Sequence, residues 1–370
     1  MSDAHAGDDR IDAATLAAVQ RALVSWFAAH ARALPWRGEA VSAWETWVSE
    51  VMLQQTRVDT VVPYFTRFVR RFGTPAALAA ASEDDVLAHW AGLGYYRRAR
   101  MLHAGAKAVC ERHGGEVPAD LAALRELPGV GPYTAGAIAS IAFGLPAPLV
   151  DGNVERVLTR LLALAGDPRE SPLKTALWSL AARFAAHEDP STVNQALMEL
   201  GATVCTPLAP RCDACPLRPL CAAAREDEPA RYPEKAPRKA PRDERWTAVV
   251  AEHAGSVLLV ASAGRWEGML VPPMTAGHDG RAEDLVDGVE GVTERGVVVH
   301  VLTHATLRVR VLSASLRTPP KLGVLVPWDA LSTRAVPAFT QKVIAAARST
   351  EGPTPTPARR AAAARPRRAR

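Results

Sequence analysis

The sequence has no hydrophobic run long enough to cross a bilayer. Its longest apolar stretch, residues 135–150, is interrupted by Gly144, Pro146 and Pro148. A basic and apolar leader is also missing, because the first ten residues, MSDAHAGDDR, are acidic and polar. These absences argue against a membrane span, a membrane partner and a secreted protein. We therefore expect a soluble, cytoplasmic protein.

Excess positive charge is scarce outside the last residues. The net charge is +5 and the sequence pI is about 9.1. Residues 349–370 hold six arginines and one glutamate, which accounts for the whole excess. The rest of the chain is nearly neutral, so its charge alone does not identify a nucleic-acid-binding protein. The composition predicts a disordered basic tail over 349–370.

Cysteine is also rare, but its distribution is uneven. Four of the five cysteines lie within seventeen residues, spaced Cys-x6-Cys-x2-Cys-x5-Cys, while Cys110 stands apart. In a chain without a secretory leader, such a cluster indicates a metal site rather than disulfides. Four thiolates suit structural zinc and a [4Fe–4S] cluster equally, so the spacing leaves both open. The predicted ligands are Cys205, Cys212, Cys215 and Cys221.

The chain divides by pattern into a helical part and a part rich in strands. Residues 1–12 are predicted to be disordered, and residues 13–203 are Ala/Leu-rich with apolar spacing near 3.6, which predicts an all-α domain. Residues 204–222 form the cysteine loop, and the Pro-rich, charged segment 223–245 reads as a linker. Residues 246–348 contain β-branched runs bounded by glycine, which predict a smaller α+β domain.

Residues 120–143 predict a helical hairpin that can hold an anion. One helix ends near Glu126, the segment LPGVG turns the chain, and a second helix begins at about Pro132. Gly129 and Gly131 allow positive φ and let backbone N–H groups approach a ligand. The beginning of the second helix offers further donors, so we expect a sequence-independent grip on a DNA phosphate.

Two carboxylates are candidates for acid and anion chemistry. Glu50 lies at the edge of an apolar helical stripe beside Trp47, where desolvation raises a carboxyl pKa and favours a proton donor. Asp151 ends an apolar run before Gly and Asn153, as an N-cap does, and helix N–H groups would keep it ionised. Cleavage of a purine N-glycosidic bond needs this pair, an acid for the base and an anion for the sugar cation.

The segments WVSEVMLQQTRV, GLGYYRRAR, LPGVGPYTAGAIASIAFG, VDGNVERVL and NQALMELGATVC, in this order, resemble the MutY family of adenine DNA glycosylases. This family lies within the endonuclease III, helix-hairpin-helix-GPD superfamily, and the resemblance covers about residues 20–222. It implies a mainly α glycosylase domain with a [4Fe–4S] loop. Residues 246–348 resemble the family's Nudix-like C-terminal domain, but no Glu-rich helix suited to Nudix hydrolysis is found.

The resemblance assigns roles to individual residues. Glu50, Asp151, Asn153 and Tyr133 would be catalytic, with Glu50 protonating adenine and Asn153 orienting Asp151. The flipped adenine would contact Trp36, Arg37 and Gln195. Gln55 and Tyr95 would fill the vacated stack, and Gly129 and Gly131 would bind DNA. The opposite base would be read by Thr303 and His304, where Leu302 departs from the family's aromatic residue.

The expected activity is excision of adenine paired with 8-oxoguanine or guanine in double-stranded DNA, by a nucleoid-associated monomer. Bifunctional relatives have a nucleophilic lysine where this chain has Tyr133, so no Schiff base and little strand cleavage are expected. Two alternatives remain open: a mismatch glycosylase for another base such as thymine, and a non-catalytic iron–sulfur protein that binds DNA. The C-terminal domain argues against the first, and the combination of Glu50, Asp151 and Tyr133 argues against the second.

Overall fold

The computed structural model describes residues 10–38, 40–234, 240–302 and 304–349. The chain folds as two compact units, Met1–Arg238 and Lys239–Arg370. Across the described part of the chain, no helix has both the length and the apolar character that a membrane span requires.

The first unit is helical. Its α-helices are α1 (Ala13–His30), α2 (Ala43–Leu53), α3 (Val58–Arg71), α4 (Pro75–Ala79), α5 (Glu83–Trp90), α6 (Arg97–His113), α7 (Leu121–Glu126), α8 (Pro132–Ala137), α9 (Gly152–Leu161), α10 (Ser171–Ala185), α11 (Pro190–Thr203) and α12 (Ala222–Arg225). A π-helical turn, Ile138–Ala142, extends α8. Short 3-10 turns occupy Cys212–Ala214, Arg218–Leu220 and Pro229–Arg231.

Two apolar clusters hold these helices together. Helices α1, α9, α10 and α11 share a core around the fully buried Leu23, Phe184 and Leu197. Helices α3 and α5 pack through aromatic contacts, including Phe68 against Trp90 with ring centroids 5.7 Å apart. Side chains of this size remove large apolar areas from water, so these clusters dominate the stability of the unit.

The second unit has a mixed sheet. Its strands are β1 (Arg242–His253), β2 (Ser256–Ala261), β3 (Leu270–Val271), β4 (Met274–Ala276), β5 (Val289–Val301), β6 (Ala305–Leu316) and β7 (Val324–Pro327), and its helices are α13 (Ala282–Leu285) and α14 (Ala338–Arg348). The order is β3-β2-β1-β6-β5, with β4 beside β1 and β7 beside β2. Strands β1 and β6 are parallel, while β5 and β6 are antiparallel. This confirms the predicted α+β class.

The ordered parts extend further than the sequence predicts. Residues 1–12 were expected to be disordered, but Ile11 is buried in the first core and the Asp12 carboxylate caps α1 through Thr15. The expected linker 223–245 is also too long, because α12 begins at Ala222, Tyr232 is buried and β1 begins at Arg242. In both places a single apolar residue in a polar context, Ile11 or Tyr232, is buried by residues that are distant in the sequence. Residues 1–9 and 350–370 lie outside the described residues.

Candidate active site

A cavity of about 560 Å³ lies among α2, α8, α9 and α11. Pockets of this size accommodate small organic ligands. It brings together residues that are as much as 170 positions apart in the sequence, from Arg32 to Ala202, and it includes every side chain predicted for catalysis and for the adenine pocket. These residues are Trp36, Arg37, Glu50, Tyr133, Asp151, Asn153 and Gln195.

Glu50 is a buried acid in the cavity wall. Helix α2 carries it, and a capping box between Ser42 and Glu45 fixes the beginning of that helix. The Tyr133 hydroxyl donates to Glu50 Oε2 at 2.5 Å. The pKa of Glu50 is raised to about 7. Burial is the main cause and the charge of Asp151 adds to it, while the Tyr133 hydrogen bond acts in the opposite direction. Glu50 can therefore hold a proton near neutral pH, as the sequence analysis predicts.

Asp151 caps helix α9, as predicted. Its Oδ1 accepts the backbone N–H groups of Asn153 at 2.9 Å and Val154 at 2.7 Å, and its Oδ2 accepts Asn153 Nδ2 at 2.7 Å. Burial raises the pKa of Asp151, while these hydrogen bonds lower it. Desolvation outweighs the hydrogen bonds, so the pKa of Asp151 is raised overall. All three partners are donors, a pattern that favours the carboxylate over the acid.

A buried ion cluster beside the two acids was missed by the sequence analysis. Glu199, 1 % exposed, accepts from Arg32 Nε at 2.6 Å and from Arg37 Nη2 at 2.9 Å. Burial alone would raise the pKa of Glu199, but hydrogen bonds from both arginines outweigh it and lower that pKa. Glu199 follows Gln195 by one helical turn, which places both on one face of α11 and was the available signal.

The remaining predicted pocket residues frame the cavity. Trp36 is buried and meets Phe65 edge to face, with ring centroids 5.3 Å apart. Gln195 donates from Nε2 to Ser191 Oγ at 3.2 Å, which fixes its amide. The cavity therefore combines one indole with amide and carboxylate groups, which is a suitable surface for a planar, hydrogen-bonding ligand.

The two predicted wedge residues both lie in left-handed turns. Gln55 has φ +59° and Tyr95 has φ +49°, and both side chains are exposed. Non-glycine residues rarely adopt this conformation, which costs about 1 kcal/mol or more. Tyr96, by contrast, is buried, and its hydroxyl accepts from the backbone of Gly92. Gly92 has φ +102°, a conformation that favours glycine, and a Cβ there would also meet the Tyr64 hydroxyl.

The helical hairpin has the predicted boundaries, with α7 ending at Glu126 and α8 beginning at Pro132. Gly129 has φ +77°, and a Cβ there would lie 2.6 Å from Met101. The expectation of positive φ is wrong for Gly131, which caps α8 with φ −86°. Nothing lies within 4 Å of a Cβ built at Gly131, which shows that the space beside the beginning of α8 is open.

The four predicted metal ligands meet around one small apolar cavity, where Arg160 is also present. Among the residues described, no three potential ligands come close enough to hold a single metal ion. Burial raises the pKa of the Cys215 thiol to about 11. Arg160 is buried and donates from Nη1 to Cys205 Sγ at 3.4 Å, so a cation already accompanies the sulfur atoms. The donor set is Cys205, Cys212, Cys215 and Cys221.

Of the predicted opposite-base residues, His304 lies between β5 and β6 of the second unit. His304 is exposed, and its carbonyl accepts the backbone N–H of Arg242 at 3.1 Å. Leu302 packs partly against the core of this unit, and its N–H bonds to Ala305 O at 2.8 Å. Thr303 lies outside the described residues.

Comparison with known proteins gives consistent results. Residues 48–183 match the HhH-GPD superfamily of base excision DNA repair proteins. A curated adenine DNA glycosylase from Rattus norvegicus is 36% identical over 90% of this chain and 78% of its own length. A human adenine DNA glycosylase is 48% identical over 59% of this chain and 41% of its own length.

Among solved structures, a thermostable thymine-DNA glycosylase is similar in fold. It has a TM-score of 0.52 and 25% identity, and the match covers 58% of this chain and 98% of that one. That protein is named for thymine and the sequence relatives for adenine, so the fold alone does not determine the base.

Proposed function

This chain belongs to the adenine DNA glycosylase family, and we propose that its substrate is adenine mispaired with 8-oxoguanine or guanine in double-stranded DNA. It is a base excision repair enzyme that binds DNA and releases adenine. One observation supports the chemistry above all others: Glu50, with a pKa of about 7, and Asp151 line the same cavity.

Glu50 is the general acid of the proposed mechanism. In its protonated form it donates a proton to a ring nitrogen of adenine, so that the base leaves as a neutral molecule. The Tyr133 hydroxyl donates to Oε2 of Glu50. This hydrogen bond orients the carboxyl and leaves its second oxygen for the base.

Asp151 acts on the sugar. As C1′ loses the base it develops oxocarbenium character, and a nearby carboxylate stabilises that charge or captures it covalently. Asn153 and the α9 backbone hold the carboxylate in place. Water then adds to C1′ and leaves an abasic site. Tyr133 occupies the position of the lysine in bifunctional relatives and offers no amine, so strand cleavage is not expected.

The pocket chemistry favours adenine over thymine. Glu199 is an ionised acceptor fixed by Arg32 and Arg37, and Gln195 offers an amide one helical turn away. The exocyclic amine of adenine can donate to these acceptors, whereas thymine has only its ring N3–H to donate. Trp36 supplies an aromatic wall of the cavity.

Adenine must leave the base stack to reach this cavity, which costs a few kcal/mol. We assign Gln55 and Tyr95 to fill the vacated space, since both are exposed on fixed turns. The hairpin at Gly129 and Gly131 would bind a phosphate through backbone N–H groups, independently of sequence.

We assign a [4Fe–4S] cluster rather than zinc to the four cysteines because their spacing resembles the cluster loop of the family. A cluster would supply structural cohesion to the loop, or a redox-sensitive element, with Cys205, Cys212, Cys215 and Cys221 as ligands. Arg160, which contacts Cys205 Sγ, would offset part of the negative charge of four thiolates.

The second unit is the proposed reader of the opposite base. His304 offers an exposed hydrogen-bonding side chain directly before β6, and we assign Thr303 to act with it. Position 302 holds a leucine that packs partly against the core of the unit, and a leucine offers no aromatic ring to stack on the lesion. We expect hydrogen bonding to carry more of the recognition here than in relatives with an aromatic residue.

A set of duplexes tests this function. Adenine is placed opposite 8-oxoguanine, G, C or T, thymine is placed opposite G, and abasic sites are revealed with alkali. We expect adenine release opposite 8-oxoguanine and G. Loss of release in Glu50→Gln and in Asp151→Asn, with duplex binding retained, would support the mechanism. Release of thymine in preference to adenine would refute the assignment, and turnover by either variant would refute the mechanism.

A further inference from the structure

The guanidinium of Arg98 joins the two turns that carry Gln55 and Tyr95. It projects from α6 between the end of α2 and the 92–95 loop. Its Nη1 donates to three backbone carbonyls at the end of α2, at 2.6–2.8 Å, and its Nη2 donates to one hydroxyl and two carbonyls, at 3.1–3.5 Å. The Nη1 acceptors are Val51, Met52 and Gln54, and the Nη2 acceptors are Thr56 Oγ1, Leu93 and Gly94.

These contacts meet a physical need of each turn. The last carbonyls of a helix lack intrahelical donors and are favoured by a nearby cation, and Arg98 meets both needs for α2. The 92–95 loop is held by the same group, since Arg98 lies 5.4 Å from the centres of the Trp90 and Tyr95 rings. One guanidinium therefore contacts both left-handed turns.

We propose that Arg98 is a positioning residue for base extrusion, which holds Gln55 and Tyr95 at a fixed separation so that both enter the duplex together. This inference rests on the proposed function. Arg98 would not touch the reacting atoms; it would act through the two turns. Without it, each turn could relax from the left-handed conformation, and the two wedges would no longer meet the same base step.

The hydrogen bonding of Arg98 is incomplete at one atom, because its Nε is buried and finds no acceptor in the described part of the chain. Burial lowers the pKa of Arg98 to about 10, so the group remains charged at neutral pH. A lysine would place a single nitrogen where two nitrogens now reach separate turns, so it cannot replace the planar guanidinium.

The test compares Arg98→Lys and Arg98→Met with a matched control, Arg100→Met. Arg100 lies on the same helix and pairs with Glu83. Extrusion is followed in the Asp151→Asn background by the fluorescence of 2-aminopurine placed opposite 8-oxoguanine, which rises when the base leaves the stack. Adenine release is measured in single turnovers, and affinity is measured with a duplex that contains an abasic analogue.

We expect both Arg98 variants to lower the extrusion signal and to slow single-turnover release by roughly tenfold, with affinity for the abasic duplex changed by less than about threefold. In a Tyr95→Ala background, the effect of Arg98→Met should fall to about threefold or less, because contacting residues are not additive. Arg100→Met should match the unsubstituted protein.

Two results would overturn the inference. One is an extrusion signal in Arg98→Lys equal to that of the unsubstituted protein, a measurement that remains decisive if Arg98→Met fails to fold. The other is an equal rate loss with and without Tyr95, which would indicate a general structural role. If the unsubstituted protein and Arg100→Met release no adenine from any duplex, the proposed function fails instead, and the two failures are thus distinguishable.

Discussion

Replacing Glu50 by glutamine should stabilise the folded protein while it abolishes the chemistry. Burial raises the pKa of Glu50 from its ordinary 4.5 to about 7 in the folded state. At about 1.4 kcal/mol per pKa unit, this rise corresponds to about 3 kcal/mol. The stability from holding the proton is fully present below about pH 4.5 and is lost as the pH rises through 7. Glutamine stays neutral, has nearly the same shape and still accepts from Tyr133, so it avoids this loss.

The measurement is thermal unfolding of both proteins between pH 4.5 and pH 8. We expect nearly equal Tm values at the acidic end. Near pH 8 the glutamine variant should be more stable by up to about 3 kcal/mol, or about 6–12 °C for a unit of this size. Glu111→Gln, which removes an exposed carboxylate from α6, is the control and should show no such divergence. A glutamine variant no more stable than the unsubstituted protein at pH 8 would refute the buried-acid description of Glu50.

Further predictions concern the same site and the cysteine loop. Single-turnover adenine release should fall as the pH rises above about 7, because Glu50 loses its proton. Tyr133→Phe removes a hydrogen bond that lowers the Glu50 pKa, so the alkaline limb of that profile should move to higher pH. Borohydride should trap no covalent DNA adduct with the unsubstituted protein, whereas Tyr133→Lys should gain one. Cys215→Ser should lose iron and visible absorption together with thermal stability; unchanged iron content would contradict the cluster assignment. Glu199→Gln leaves Arg37 without its buried anion and should destabilise folding by on the order of 3 kcal/mol, measured by denaturant unfolding.

The sequence predicted the elements whose pattern is local. Helix α2 follows from the apolar spacing around Trp47, and the hairpin boundaries follow from the LPGVG turn. Asp151 as the cap of α9 follows from its position before glycine and an amide residue. In each case the determining residues lie within one or two helical turns, so a single segment carries the information.

The features that the sequence did not give depend on distant partners. The hydrogen bond from the Tyr133 hydroxyl to Glu50 joins residues that lie 83 positions apart. Glu199 gains its role from Arg32, which lies 167 positions earlier. The strands β3 and β4, of two and three residues, are too short for an alternating pattern to show. A pattern within one short segment of the sequence cannot predict contacts between residues so far apart.

The left-handed conformations of Gln55 and Tyr95 have a consequence for laboratory evolution. Asparagine and glycine tolerate that backbone region far better than glutamine or tyrosine. Selection for heat resistance alone would therefore favour the smaller residues at both turns. It would also favour glutamine at position 50, because a neutral amide avoids the cost of burying a charged carboxylate. The most thermotolerant descendants of this chain would then be inactive, and a selection scheme must score repair alongside survival of heating.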